Sequence, residues 1–252
     1  MSDRVSVALE AGVLTGTLNR PEKRNAIDTA MIDALHAMLD RADLEAEARV
    51  VAVRGAGKDF CAGMDLEELL ASADRTIEEN RDAALRFGAV FVRMRALPKP
   101  VVAVVRGRAL AGGCGLASAC DLVLAAESAQ FGYPEVQRGF VPALVLNMLR
   151  RTVGEKVAFD LAATGRLLSA RAAEAAGLVS RVFPDEAFDA NASELLRTLS
   201  GISASSLALT KQQFYRLDGV PFEEGIRLSA DVNALSRTTP DFRAAIAAFL
   251  KP

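Results

Sequence analysis

Two glycine bends carry the chemistry that this sequence offers. The run Arg108-Ala109-Leu110-Ala111-Gly112-Gly113-Cys114-Gly115-Leu116-Ala117 follows an apolar, β-like stretch from Pro100 to Gly107. It leads into small residues that continue as a helix to Cys120-Asp121. A strand that ends in tight glycines and turns into a helix leaves backbone N–H groups unpaired at the positive helix end. Such a place holds an anion, or the charge that develops on a carbonyl oxygen during reaction. The run contains neither G-x-G-x-x-G nor G-x-x-x-x-G-K-[ST], the two loops that cradle phosphates in nucleotide sites. An earlier bend has similar character. Val50 to Arg54 reads as a buried strand, Gly55-Ala56-Gly57-Lys58 breaks it, and Phe60-Cys61-Ala62-Gly63-Met64-Asp65-Leu66 follows. Asp65 is placed to cap the next helix, with Glu68 at the capping-box position. The N–H of Met64 therefore lies at a second helix start. Two such donors converging on one point form an oxyanion hole. Two ordinary helix caps with glycine turns would give the same local pattern.

Several motifs occur in an order that resembles the crotonase superfamily, the enoyl-CoA hydratase/isomerase family. Leu18-Asn19-Arg20-Pro21-Glu22-Lys23-Arg24-Asn25-Ala26 is similar to its N-R-P-x-x-x-N-A loop, and Phe60 to Leu66 to its F-x-A-G-x-D-[LI] turn. Lys99 to Gly107, continuing to Cys120-Asp121, resembles its K-P-V-I-A-A-V-x-G…G-G-G…C-D block. Ala129-Gln130-Phe131-Gly132-Tyr133-Pro134-Glu135 resembles its A-x-F-x-x-P-E segment. Leu161 to Ala170 and Ala175-Ala176-Gly177-Leu178-Val179 resemble its later L-x-T-G-x-x-x-x-A…G-L-V pattern. The match covers nearly the whole chain.

The resemblance implies binding of an acyl-CoA thioester and stabilisation of its enolate. It places the two oxyanion donors at the N–H groups of Met64 and Gly112, and one catalytic carboxylate at Glu135. It implies CoA- and substrate-binding positions at Lys23, Arg24, Ala26, Ala62, Asp65, Leu66 and Tyr133. Arg20 joins Lys23 and Arg24 as a candidate for a CoA phosphate. The family's second glutamate falls at Gly115, which has no side chain. Hydration in the family uses two glutamates to hold and split one water, whereas one carboxylate suffices to move a proton between C2 and C4. The residues thus favour isomerisation. The overall resemblance is to hydratases, including branched-chain types such as methylglutaconyl-CoA hydratases, and Gly115 would also enlarge the pocket for a bulkier acyl group. The residues also leave room for thioester hydrolysis, decarboxylation or a non-catalytic acyl-CoA-binding scaffold. Phe131, Val136, Phe140 and Val141 surround Glu135 in sequence, and an apolar setting raises a carboxyl pKa toward the working range. No cofactor is expected, since coenzyme A belongs to the substrate.

Composition narrows the classes. The chain has 252 residues, 51% of them hydrophobic, enough for one large core. Its net charge of −2 supplies no global field for nucleic acid. The start, Met1 to Val5, lacks the apolar core of a signal peptide, and no apolar stretch reaches the ~18 residues of a membrane span. A cytoplasmic protein with three free thiols is the expectation. Cys61 and Cys114 flank the proposed site and read as small packed residues. His36 is the single histidine, so neither a zinc site nor a histidine-based nucleophile is supported.

The elements that must position these groups alternate. Val5 to Leu18 reads as two strands broken at Ala11-Gly12. Thr29 to Leu44 reads as a helix capped by Asp28, with Met31, Leu35, Met38 and Leu39 on one face. Ala73 to Asn80 reads as a polar, mobile connection. Ile77 to Leu97 is helical, and Leu122 to Ala126 is a strand. Helices are expected at Ala143 to Arg151, Glu155 to Ala163 and Ala170 to Ala176. Strands alternating with helices indicate an α/β fold. The resemblance sharpens this to a crotonase-like spiral of β-β-α turns. The core with the acyl-CoA site is expected over residues 1–185. Over residues 186–252 the strand signal disappears, and four helices form a C-terminal subdomain, an oligomerisation subdomain by the resemblance. By resemblance that subdomain assembles homotrimers or hexamers.

Overall fold

Alternation of period two along Val5–Glu10 and Val13–Leu18 builds the hairpin β1–β2, paired from Val5 with Leu18 to Glu10 with Val13. Ala11 and Gly12 between them both have positive φ, the hand that matches strand twist. In this computed structural model, which describes residues 4–250, α1 follows at Thr29–Leu44. The Asp28 carboxylate accepts the Met31 N–H at 2.7 Å and caps it. Met31, Leu35, Met38 and Leu39 face the core as their spacing requires.

The chain then repeats one pattern three times. A strand of a large sheet is followed by a short strand turned away from it, and then by a helix. The first turn is β3 (Val50–Gly55), the Cys61 segment and α2 (Leu66–Ala71). A long helix, α3 (Ile77–Ala96), follows. The second turn is β4 (Val101–Val105), β5 (Arg108–Leu110) and α4 (Gly112–Ala119). The third is β6 (Leu122–Ala126), β7 (Gln130–Gly132), a 3-10 turn at Pro134–Arg138 and α5 (Ala143–Val153). The chain continues through α6 (Glu155–Thr164), β8 (Leu167–Ser169), α7 (Ala170–Ala175) and β9 (Arg181–Phe183). Four helices end it: α8 (Phe188–Ser200), α9 (Ala204–Arg216), α10 (Phe222–Ser236) and α11 (Pro240–Phe249). The large sheet has the order β1-β2-β3-β4-β6-β9 and is parallel from β2 onward; the small sheet has the order β5-β7-β8. This is the expected α/β spiral with a helical C-terminal region.

Strands buried on both faces read as unbroken apolar runs, and β3 and β4 do. Val51, Val53, Val101, Ala103 and Val105 face α1, α3 and α4. Their neighbours Val50, Ala52, Val102 and Val104 face the opposite way, onto Phe188, Ala192 and Leu196 of α8. The division expected at residue 185 therefore passes between the large sheet and the helix that seals its back. The helices that stand clear of the sheet begin at α9. One buried cluster anchors α9: the Lys211 ammonium donates to Met94 O (2.7 Å) and Lys99 O (2.9 Å) and pairs with Asp121 (2.7 Å). Tyr215 donates to the other Asp121 oxygen at 2.7 Å.

Two local expectations are corrected. Ala73–Asn80 is not an irregular connection. Ser72–Asp74 forms a 3-10 turn, and Thr76 and Glu79 close a reciprocal capping box that starts α3. Glu68 forms no capping box with Asp65. Its carboxylate instead accepts the N–H and hydroxyl of Thr29, tying α2 to the start of α1. None of the described helices is long and apolar enough to cross a membrane.

Candidate active site

The first bend is built by hydrogen bonds on both of its sides. Cys61 pairs with β5: its N–H donates to Arg108 O (3.0 Å), and its carbonyl accepts from Leu110 (2.9 Å). Ala62 N–H donates to Arg24 O, Gly63 O accepts from Ile27 N–H, and Asp65 N–H donates to Ile27 O. Successive amides of an extended segment point to opposite sides. The Met64 N–H therefore points away from Ile27, toward the side where β5 runs into α4. Gly63 makes the close approach there. Its φ is +100°, and a Cβ on it would stand 2.8 Å from Ala111 Cβ and 3.4 Å from Gly112 N.

The second bend meets it. Ala111 has φ 50° and ψ −126°, a conformation that L-residues rarely adopt, and its N–H is held by Gly132 O at 2.8 Å. The chain turns at this strained residue and α4 begins at Gly112, so the first amides of α4 have no partner within the helix. Strain sits at Ala111, not at Gly112, whose φ is ordinary. A Cβ on Gly112 would meet Phe87 at 3.4 Å and the Met64 side chain at 3.7 Å, without overlap. The glycine whose bareness packs the two bends together is Gly113. A Cβ there would stand 2.6 Å from Cys61 Cβ and 2.7 Å from its sulfur. Burial pushes the thiols of Cys61 and Cys114 up to about 12, which makes them packing groups.

Glu135 lies in the 3-10 turn Pro134–Arg138 and is buried, at 8% exposure. Its Oε2 has no hydrogen-bond partner. Its charge acts on both Cys114 and Tyr133, which puts the carboxyl near the first turn of α4. Burial pushes the carboxyl above its ordinary value of 4.5, against weaker opposing pulls from its own backbone N–H and from Arg138. The expected apolar surround is only partly there. Phe131 is in the core, but the 3-10 turn carries Val136, Phe140 and Val141 outward, where they are exposed.

The other predicted positions separate into groups. Arg20 is not open to a phosphate. Its guanidinium is buried and bonds Asp65 (2.9 Å), Asp28 (3.2 Å) and Ala26 O (2.9 Å). Asp65 caps α2 by accepting from Glu67 and Glu68. Burial pushes its carboxyl up, but Arg20 and these two amides outweigh that and hold it below its usual range. Ala26 is buried, Ala62 is half-buried beside Arg24, and Leu66 is exposed. Lys23 is exposed and paired with Glu67 at 2.7 Å. Tyr133 is fully buried, with its hydroxyl 2.9 Å from Ser118 Oγ on α4, so the ring supports the helix from the interior.

Sequence reading missed the wall beyond α4. A Cβ on Gly115 would overlap Val145 of α5 and stand 3.7 Å from Phe91 of α3. Val145 thus fills the space that a side chain at 115 would need, and Gly115 does not by itself open a larger pocket. Phe87 and Phe91, four apart on α3, form an edge-to-face pair along the same wall; their helical spacing was the available signal.

Two outcomes follow from this packing. Gly115→Ala gains helix propensity of about 1 kcal/mol but overpacks against Val145, a cost of about 1–3 kcal/mol. Denaturant melts will show no gain or a net loss, relieved by adding Val145→Ala; a clear stabilisation by Gly115→Ala alone would contradict the packing. The raised Glu135 pKa favours the protonated carboxyl in the folded state. Its contribution is complete below the unfolded value near 4.5 and is lost as pH rises through the higher folded value. Wild type will therefore lose stability relative to Glu135→Gln as pH is raised from 4.5. Parallel melting curves across that range would show that burial does not shift this carboxyl.

Known proteins resemble the chain along almost its full length. Residues 8–251 match the family described as Enoyl-CoA hydratase/isomerase. A Thermus thermophilus protein named as a candidate enoyl-CoA hydratase is 44% identical over 234 residues, 93% of this chain and 92% of that protein. The 2,3-dehydroadipyl-CoA hydratase of Escherichia coli is 34% identical over 248 residues, 97% of this chain and 94% of that one. The crystal structure of an enoyl-CoA hydratase from Mycobacterium smegmatis has a TM-score of 0.94 at 32% identity, covering 99% of this chain and 96% of that one. With its β-β-α spiral, paired glycine bends and ordered motifs matched along almost the full length, the chain belongs to the enoyl-CoA hydratase/isomerase family.

Proposed function

We propose that the chain acts on an enoyl-CoA thioester, with Met64 and Gly112 N–H groups holding the thioester oxygen and Glu135 moving the proton. The observation that carries this reading is the buried Glu135 oxygen without a partner, on a carboxyl near Cys114 in the first turn of α4. Removing a C2 proton sends the electron pair onto the thioester oxygen. Donors preorganised at that oxygen act most strongly when the charge is fully developed. Returning the proton at C4 moves the double bond, with no atom gained or lost. One carboxylate is enough for this, and Val145 fills the space beside Gly115 where a second would stand. No cofactor enters the scheme, because coenzyme A arrives as part of the substrate.

Hydration of a branched 2-enoyl-CoA is the second reading. The relatives named as hydratases favour the hydration step, not the branching, and Glu135 would activate the water. A panel of 2-enoyl- and 3-enoyl-CoA esters in D2O separates the two. Deuterium at C2 or C4 with no oxygen gained identifies isomerisation, and addition of the elements of one D2O identifies hydration. In either case Glu135→Gln will lower turnover by about 10²–10⁴ while ester binding persists. Full activity in that variant would remove Glu135 from the mechanism.

The C-terminal helices support a further part of this reading, self-association as a homotrimer or hexamer. Phe222 and Phe249 are more than four-fifths exposed, and Ile226, Ile246 and Leu250 stand out beside them. Apolar surface of this kind calls for a cover. Sedimentation equilibrium will report a multiple of three chains, and a monomer at micromolar concentration would exclude it.

A further inference from the structure

Glu135 hangs from a segment that touches α4 at both of its ends. The small sheet stops at Gly132, which pairs with Leu110 of β5 and Leu167 of β8. Gly132 O accepts the Ala111 N–H at 2.8 Å, immediately before the first residue of α4. The next residue, Tyr133, reaches the far end of the same helix. Its hydroxyl lies 2.9 Å from Oγ of Ser118, beside the last residue of α4. Pro134 follows, with no N–H to extend the sheet, and Glu135 comes after it.

The direction of the Tyr133 bond is fixed. Ser118 Oγ carries one proton and donates it to Cys114 O at 2.7 Å. The Tyr133 hydroxyl is therefore the donor to Ser118. Both residues are buried, and a hydrogen bond in such surroundings is stronger than one in water. Tyr133 does not cap its own 3-10 turn, so its side chain serves the contact with α4. Burial pushes the hydroxyl well above its ordinary value of 10. Tyr133 therefore stays a neutral donor at working pH and moves no proton itself.

We propose that Tyr133 is a positioning residue, whose hydrogen bond to Ser118 sets the distance between the Glu135 carboxyl and the Gly112 amide. Gly132 and Tyr133 are neighbours in the chain, so their two bonds hold the segment along α4 at two points. With the Gly132 bond alone, the turn that carries Glu135 pivots about one point. The turn has other ties on its outer side, where Gln137 donates to Thr164 O (3.1 Å) and Gly165 O (3.2 Å). Those lead to the end of α6 and leave the distance to α4 unset. The role of Tyr133 rests on Glu135 being the group that moves the proton.

Tyr133→Phe removes the hydroxyl and keeps the ring, and an unchanged circular dichroism spectrum checks the fold. Steady-state kinetics use the enoyl-CoA ester of the panel that the wild type turns over fastest. The variant will lower kcat about tenfold or more with KM nearly unchanged, since a misplacement of ~1 Å costs about 10² in rate. Ser118→Ala removes the same bond from the other side and will lower kcat by a similar factor. The double variant will be no slower than either single one, because both changes break one interaction. The acid limb of the kcat–pH profile will move toward the ordinary carboxyl range, as a loosened turn lets water reach Glu135. An unchanged kcat, additive losses in the double variant, or an unmoved acid limb overturns the proposal. Glu135→Gln on the same ester separates this failure from that of the proton-transfer reading. If that variant loses turnover while Tyr133→Phe is unimpaired, only the positioning role falls. If Glu135→Gln is fully active, both fall.

Discussion

The site depends on how closely two chain segments approach. The Cys61 strand and the start of α4 lie against each other with no Cβ between them at Gly63 and Gly113. Protein interiors are packed densely enough that one extra methyl at either position would push the segments apart. That separation would carry Met64 away from Gly112 and loosen the pairing of Cys61 with β5. The strained backbone of Ala111 persists because its neighbours over-determine it: Gly132 holds its amide, and its carbonyl accepts Gly115 N–H at 2.9 Å.

A second constraint is electrostatic. Arg20 is buried between Asp28 and Asp65 and also donates to Ala26 O. Its carboxylates cap α1 and α2, so one guanidinium fixes where two helices begin. Removing Arg20 would leave the buried Asp65 without its cation, which is costly, whereas Asp28 would keep Arg4 at 2.9 Å. Glu135 is the opposite case. It is buried without a cation or donor at Oε2, and its carboxyl is driven toward the neutral form. A buried acid left unsatisfied in this way is unusual for a structural role. The contrast separates the acids that hold the fold from the one acid whose buried oxygen no described group satisfies.

The C-terminal helices divide by what they touch. Phe188, Ala192 and Leu196 make α8 one wall of the core, although its sequence resembles that of the helices after it. α9 is held by the buried Lys211–Asp121 pair. Burial depresses the lysine pKa, and the adjacent carboxylate opposes that shift. α10 and α11 keep large apolar side chains in solvent.

Much of the architecture was legible in the sequence, because local signals coincide there with tertiary ones. The alternation of β1 and β2, the Asp28 cap, the spacing of Met31, Leu35, Met38 and Leu39, and the unbroken apolar runs of β3 and β4 each report burial directly. The two glycine bends were legible as places of close approach, since only glycine tolerates them. The three-residue strands β5, β8 and β9 were not legible. Strands that short carry no period, and their partners are distant in sequence. The partner of Glu68, the burial of Arg20 and the division of labour between Ala111 and Gly113 were also decided in three dimensions. Each depends on which side chain from elsewhere occupies the neighbouring space. Gly115 makes the point most plainly: one missing side chain is visible in a sequence, but only the packed structure reveals that Val145 has taken its place.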